Sequence, residues 1–150
     1  MLARRKAQSV FDTLENKNDT YVVGSDTVVY LDGEIMGKPK DKEDAKRMLG
    51  LLSGKKHTVY TGISVVSENK CATDFDATDV YFRKLTERDI DLYVASNEPM
   101  DKAGAYGAQG LGAAFVEKID GDFFGVMGLP LCKLCVLFLR EFNLNLLDGE

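Results

Sequence analysis

The sequence predicts an α/β fold in which β-hairpins form a mixed, twisted sheet with helices packed on it. Segments rich in β-branched and aromatic residues outnumber the helix-like segments and alternate with them. Two Asp-Gly pairs, Asp32-Gly33 and Asp120-Gly121, lie between strand-like segments, and such pairs favour tight hairpin turns. Because hairpins join antiparallel strands, we do not expect a regular series of βαβ units.

Local signals then assign the individual elements. Asp41 and Thr86 each precede a helix-like stretch and are expected to cap it. The first helix is expected to place Leu2, Val10 and Phe11 on one apolar stripe together with Leu14. We expect helices over residues 2–14, 42–52, 87–95 and 130–142, and strands over 21–23, 28–31, 34–36, 58–67, 72–82, 113–119 and 123–127.

The composition fits one globular domain over residues 1–150. Of these residues, 45% are hydrophobic and 29% are charged, and a domain of this length buries roughly 70% of its unfolded surface. The net charge of −5 disfavours a nucleic-acid partner, which needs a basic face. No apolar run is long enough to cross a bilayer, so no membrane partner is expected. The 3 cysteines cannot all pair and favour a reducing compartment, the cytoplasm.

Asp26 is the first candidate for chemistry. It stands in Gly24-Ser-Asp-Thr27, between two apolar strand segments. A carboxylate in such a place is costly unless it is paired or bound to a metal. It is therefore a metal ligand, a general base, or a structural carboxylate satisfied by backbone donors.

The Asp32-Gly33 turn brings Lys38 towards this carboxylate. In a two-residue turn here, facing residues have numbers that sum to 65, so Thr27 would face Lys38. Pro39 cannot complete the ladder, and a break there would let Lys38 and Asp26 converge. A carboxylate, a hydroxyl and an ammonium at one point suit metal-assisted phosphate chemistry, whereas the alternative is a surface salt bridge.

A glycine-rich loop supplies the second group of candidates. Gly104, Gly107, Gly110 and Gly112 surround one polar side chain, Gln109. Glycine lets backbone N–H groups approach a ligand closely, so the loop suits a small polar or anionic ligand, although such a segment also occurs as a simple turn. Lys102 precedes this loop beside Asp101, either as a phosphate-binding cation or as a solvated charge pair.

The remaining reactive residue types favour structural roles. His57 is the only histidine, which argues against a histidine-based metal cluster or a Ser-His-Asp triad, and we expect it to be a hydrogen-bonded structural residue. Cys132 and Cys135 imitate a zinc or redox motif but fall within one amphipathic helix. We therefore expect them to be small apolar residues of the helix that lie in the core and bind no metal.

Six ordered motifs together carry a resemblance to a known family. They are Gly24-Ser-Asp-Thr-Val-Val29, Gly37-Lys-Pro39, Leu52-Ser-Gly54 with His57, Thr78-Asp-Val-Tyr-Phe82, Glu98-Pro-Met-Asp-Lys-Ala-Gly-Ala-Tyr-Gly-Ala-Gln-Gly110 and Gly128-Leu-Pro130. The chain resembles the Maf-like proteins, nucleoside triphosphate pyrophosphatases historically called septum formation inhibitors. These enzymes cleave a nucleoside triphosphate to the monophosphate and pyrophosphate with a divalent cation, which implies Mg²⁺ or Mn²⁺ here.

The resemblance also implies roles for individual residues. Asp26 resembles the family's catalytic or metal-binding carboxylate, Lys38 its phosphate-binding lysine and Gln109 its active-site glutamine. Lys6 resembles a lysine that the first helix contributes to the same pocket. We add Thr27, Lys102, Gly104 and Gly107 as expected substrate-binding residues.

The glycine-rich loop resembles that of the subgroup acting on dTTP and UTP. The implied function is hydrolysis of these or modified pyrimidine nucleotides. The alternatives are a 7-methyl-GTP pyrophosphatase and a non-catalytic nucleotide-binding or division-regulating protein. We also expect a homodimer.

One departure from the family bears on these alternatives. The family begins with a strand and a Ser-x-Ser-Pro-Arg-Arg loop that grips the phosphates, and no segment of this sequence matches it. We therefore expect a Maf-like domain that is incomplete at its amino terminus. A chain without that loop is expected to be a poor catalyst, because phosphate chemistry depends on preorganised charge.

Overall fold

The computed structural model describes residues 1–149 and has an α/β architecture, as the sequence predicts. Within these residues, five strands, five α-helices and three short 3₁₀ turns follow one another. The strands are β1 (Val22–Leu31), β2 (Glu34–Met36), β3 (Lys56–Val66), β4 (Cys71–Phe82) and β5 (Val116–Asp120). The helices are α1 (Leu2–Asp12), α2 (Lys42–Leu52), α3 (Glu87–Ala95), α4 (Phe123–Met127) and α5 (Leu131–Phe142).

The strands form one sheet in the order β2-β1-β3-β4-β5. All of its pairings within residues 1–149 are antiparallel. The first hairpin has the predicted register, because Val29 pairs with Met36 and Leu31 with Glu34. The ladder ends at Met36, so Lys38 lies beyond it and is not held to either face of the sheet.

The two predicted strands over 21–23 and 28–31 are one continuous strand. Residues Val22 to Tyr30 of β1 pair with Val66 to Thr58 of β3 without a break. The intervening glycine, serine and aspartate are poor strand formers, but this long pairing overrides their preference. Asp26 therefore occupies a fixed position in a central strand.

Helices cover both faces of the sheet. The largest core cluster joins β1 to β4 with α2, α3 and the glycine-rich loop, and a second cluster lies under α5. Helix α1 packs on β1 and β3 through Ala3, Ala7 and Phe11, which are buried. The predicted stripe was wrong for Leu2 and Val10, which are exposed. The helix instead turns Ala3 and Ala7 towards β1, where it packs closely on Gly24.

Residues Phe123–Met127 form helix α4 and not the predicted second strand of a hairpin. Asp122 caps this helix by accepting a hydrogen bond from Phe124 N at 2.8 Å. The preceding Gly121 has φ +136 and no room for a Cβ, which would lie 2.5 Å from Thr78 Oγ1. The pair Asp120-Gly121 thus forms a turn between strand β5 and helix α4, and not a hairpin. Within residues 1–149, every helix is too short or too polar to cross a membrane.

Candidate active site

A cleft of about 1100 Å³ opens beside the middle of β1. Its walls come from α1, β1, the segment after β2, the glycine-rich loop, and α4 with the start of α5. Five charged side chains make up what we call the charged part of the lining, namely Lys6, Asp26, Lys38, Asp101 and Lys102. Apolar side chains form much of the rest, namely Leu2, Tyr106, Phe124, Val126, Met127, Leu129 and Leu131. The lining therefore offers complementary surfaces to an anion and to a flat apolar group.

Lys6 and Asp26 form the ion pair at the charged part. Lys6 Nζ lies 2.8 Å from Asp26 Oδ1 and also donates to the backbone oxygen of Ser25 at 3.3 Å. Gly24 permits this arrangement, because a Cβ there would lie only 2.3 Å from the backbone oxygen of Ala3. Close packing of α1 on β1 thus carries the lysine to the carboxylate.

Lys38 and Lys102 add two further cations to the lining. Lys102 Nζ donates to the backbone oxygen of Glu98 at 2.9 Å and to Asp101 Oδ1 at 2.8 Å. The hydrogen bond from Lys102 lowers the pKa of Asp101, and the nearby charge of Lys38 acts in the same direction. Gly107 makes room for Lys102, since a Cβ there would lie 2.8 Å from Lys102 Cε.

Glu98 and Tyr93 hold the glycine-rich loop in shape. The two oxygens of Glu98 accept hydrogen bonds from Leu111 N at 3.1 Å and Gly112 N at 3.0 Å. Tyr93 Oη accepts a hydrogen bond from Gly107 N at 3.1 Å, and its hydroxyl acts to lower the pKa of Glu98. Burial opposes the charged form of Glu98, but these hydrogen bonds prevail and its pKa is lowered. Two residues outside the cleft lining thus fix the loop that forms its wall.

His57 has the structural role that the sequence predicts. It is 1% exposed, and its Nε2 lies 2.6 Å from Tyr106 Oη. The rings of Phe82 and Tyr106 pack edge-on against it at 5.1 and 5.3 Å. Burial lowers the pKa of His57 to about 4, against an opposing effect of Asp79. A neutral imidazole therefore supports Tyr106 from beneath the cleft.

Most of the sequence-predicted site residues meet in this one cleft. The lining includes Lys6, Asp26, Thr27, Lys38, Lys102, Gly107 and Gln109. Gly104 is buried at φ +69, and a Cβ there would lie 2.7 Å from Val29 Cγ2. Its N–H donates to the backbone oxygen of Gly37 at 3.1 Å, so it ties the glycine-rich loop to the segment that carries Lys38.

The donor set of the cleft fits a divalent cation that arrives with a phosphate ligand. In the part of the chain that the structure describes, no three His, Cys, Asp or Glu side chains are grouped as a metal cage. Mg²⁺ at nucleotide sites ordinarily takes one or two carboxylates together with waters and substrate phosphates. Asp26, which shares the cleft lining with Lys6, Lys38 and Lys102, suits this kind of shared coordination.

The α/β fold and a cleft lined by both lysines and apolar side chains are typical of a nucleotide-binding class of protein. The chain belongs to the family described as Maf-like protein, which matches residues 1–141. A dTTP/UTP pyrophosphatase of Bacillus anthracis (strain CDC 684 / NRRL 3495) is 49% identical over 144 residues, 96% of this chain and 73% of the relative. A dTTP/UTP pyrophosphatase of Bacillus cytotoxicus is 50% identical over 142 residues, 95% of this chain and 72% of the relative.

Proposed function

We propose that this protein hydrolyses dTTP and UTP to the nucleoside monophosphate and pyrophosphate. The observation that carries the proposal is the Lys6–Asp26 pair in a cleft that also holds Lys38, Lys102 and Gln109. Similarity to enzymes named dTTP/UTP pyrophosphatase supports the same substrate class.

The charged part of the cleft would bind the triphosphate. Lys6, Lys38 and Lys102 provide ammonium groups for phosphate oxygens, and their charge offsets the negative charge that develops as the α–β linkage breaks. Asp26 would accept a proton from the attacking water at its carboxylate oxygens. The water oxygen forms a bond to phosphorus while the bridging P–O bond breaks, and pyrophosphate leaves.

Asp26 would also hold a divalent cation, Mg²⁺ or Mn²⁺, together with phosphate oxygens. When bound, such a cation neutralises phosphate charge and lowers the pKa of a coordinated water. Asp26 would thus serve both as a ligand of the cation and as the base, and its contact with Lys6 keeps it in the charged part of the cleft.

The apolar part of the cleft would hold the pyrimidine base. Phe124, Met127 and Tyr106 offer flat or flexible apolar surfaces to the ring. Thr27 and Gln109 provide the polar groups that would read its edge. This arrangement assigns the glycine-rich loop to recognition of the base and sugar.

The chain is also proposed to form a homodimer. Helix α5 exposes Val136 and Leu139 at 51% and 56%, and exposed apolar side chains on one helix face favour association. Light scattering coupled to size-exclusion chromatography tests this. A monomer mass at micromolar concentration would contradict it.

The test of function is a nucleotide panel with product analysis. We expect pyrophosphate and monophosphate from dTTP and UTP, with a higher kcat/KM than for 7-methyl-GTP and loss of turnover after chelation of divalent cations. Stronger hydrolysis of 7-methyl-GTP would favour the alternative substrate class. Binding of dTTP or UTP without turnover would favour a non-catalytic nucleotide-binding protein.

A further inference from the structure

A chain of two hydroxyl groups connects the cleft to the helix that forms its apolar wall. Thr27 of β1 lies opposite Thr61 of β3 in the sheet register, and their Oγ1 atoms are 3.0 Å apart. Thr61 Oγ1 is also 2.7 Å from the backbone oxygen of Gly125 in α4. Thr61 is 0% exposed, so its hydroxyl has no access to solvent.

The directions of these two hydrogen bonds follow from counting protons. A hydroxyl carries one proton, and a carbonyl oxygen only accepts. Thr61 must therefore donate to Gly125, and its proton is not available to Thr27. In the contact between the two hydroxyls, Thr27 is then the donor. Because its one proton points at Thr61, the Thr27 hydroxyl offers only lone pairs to the cleft.

We propose that Thr61 is a positioning residue that makes Thr27 an obligate hydrogen-bond acceptor and so selects the base. This inference rests on the proposed pyrimidine nucleotide substrate. The rings of uracil and thymine carry an N–H at N3, whereas cytosine has a bare acceptor nitrogen at that position. A Thr27 hydroxyl that can only accept forms a hydrogen bond with the N3–H of uracil or thymine. With cytosine, the hydroxyl oxygen and N3 would be two acceptors facing each other, which is unfavourable.

The hydrogen bond from Thr61 to the backbone oxygen of Gly125 also holds α4, which forms the apolar wall of the cleft. Gly125 lies between Phe124 and Val126, which both line the cleft. A Cβ at Gly125 would lie 2.6 Å from Asp76 Oδ2, so α4 packs too closely on the sheet to move inward. The hydroxyl of Thr61 thus holds the helix that would contact the face of the base while it orients the group that would contact its edge.

The experiment compares UTP and CTP as substrates of Thr61→Val, a variant of similar shape without the hydroxyl. The freed proton of Thr27 can then be donated to N3 of cytosine, while its lone pairs still accept from uracil. We expect the ratio of kcat/KM for UTP to that for CTP to fall about tenfold, mainly through a gain with CTP. Thr61→Ser, which keeps the hydroxyl, is expected to restore the wild-type ratio.

A matched control separates this role from ordinary packing. Ser64→Ala removes another buried hydroxyl from β3, one that bonds to the backbone oxygen of Ala72 at 3.3 Å and lies outside the cleft. We expect it to leave the UTP/CTP ratio unchanged. A folded Thr61→Val protein that loses activity equally with both nucleotides would overturn the proposal, because that is the result of a merely structural role.

A second variant keeps the proposal testable if Thr61→Val does not fold. Thr27→Val removes the acceptor but leaves the bond from Thr61 to Gly125, and it is expected to lower the UTP/CTP ratio through a loss with UTP. An unchanged ratio in this variant would overturn the inference. Absence of UTP turnover in the wild-type protein would instead contradict the proposed function itself.

Discussion

The ammonium group of Lys6 contacts the carboxylate of Asp26 at 2.8 Å, although the two residues are 20 positions apart and lie on different elements. The contact depends on Gly24, which allows α1 to approach β1. The Lys6 and Asp26 side chains are 52% and 25% exposed, so the pair contributes little to stability, at most about 1 kcal/mol. Its position in the cleft favours a role in binding and catalysis.

Replacement of Lys6 by methionine is predicted to weaken catalysis without unfolding the protein. A hydrogen bond to a charged group contributes about 1.5–3 kcal/mol, so kcat/KM for dTTP is expected to fall roughly 10- to 100-fold. Arg5→Met is the matched control, because Arg5 is exposed on the same helix and outside the cleft lining. Equal kcat/KM values for the two variants would contradict the role of Lys6.

Glu98→Gln is predicted to loosen the glycine-rich loop. The amide has one acceptor oxygen in place of two, so the N–H of Leu111 or Gly112 loses its partner. We expect a loss of about 1–3 kcal/mol in the free energy of unfolding and a higher KM for dTTP with a smaller change in kcat. Urea denaturation and steady-state kinetics measure both. An unaltered KM would show that the loop does not depend on this carboxylate.

His57 is predicted to make stability depend on pH below neutrality. Its pKa is about 4 in the folded protein and about 6.5 when unfolded. As the pH falls from about 6.5 to 4, only the unfolded chain gains the proton, so the free energy of unfolding falls by about 3 kcal/mol through this group. Above pH 6.5 it contributes no pH dependence.

His57→Gln is the comparison for this prediction, because glutamine keeps a hydrogen-bonding group towards Tyr106 and does not titrate. The difference in unfolding free energy between wild type and variant is expected to change over pH 4–6.5 and to be constant above it. Parallel curves over the whole range would show that His57 does not titrate as described.

Double replacement of Cys132 and Cys135 by alanine is predicted to preserve activity and metal dependence. Cys132 is exposed and Cys135 half-buried, and all three cysteines are free. Cys132 therefore lies outside the core in which the sequence analysis expected it. Activity assays and zinc analysis of both proteins decide the matter. Stoichiometric zinc bound through these residues, or redox-dependent activity, would contradict the prediction.

Features determined by neighbours in sequence were predictable. The Asp32-Gly33 register and the caps at Asp41 and Thr86 occur as expected, because each depends on a few adjacent residues. The conformation of residues 123–127 was not predictable, since a short apolar run fits either a strand or a helix. Their conformation depends on contacts with Thr61 of β3 and Asp76 of β4.

The candidate site likewise has some features that were predictable from the sequence and others that depend on contacts between distant residues. Asp26 and the glycine-rich loop stand out in the sequence, and the resemblance to Maf-like proteins added Lys6. The support of the loop by Tyr93 and Glu98 was not foreseen, because it joins residues 14 positions apart. Glu98 lies in a motif that was recognised, but its spacing carried no sign of this function.

The most direct test of the proposed mechanism is turnover by Asp26→Asn. Asparagine keeps the shape of the side chain but cannot accept the proton, and it is a weaker ligand for a divalent cation. We predict normal folding with a loss of about 10²–10⁴-fold in kcat. Asp120→Asn is the control, since Asp120 lies on β5 outside the cleft lining. Pyrophosphate release from dTTP at near-normal rates by folded Asp26→Asn protein would contradict the central claim.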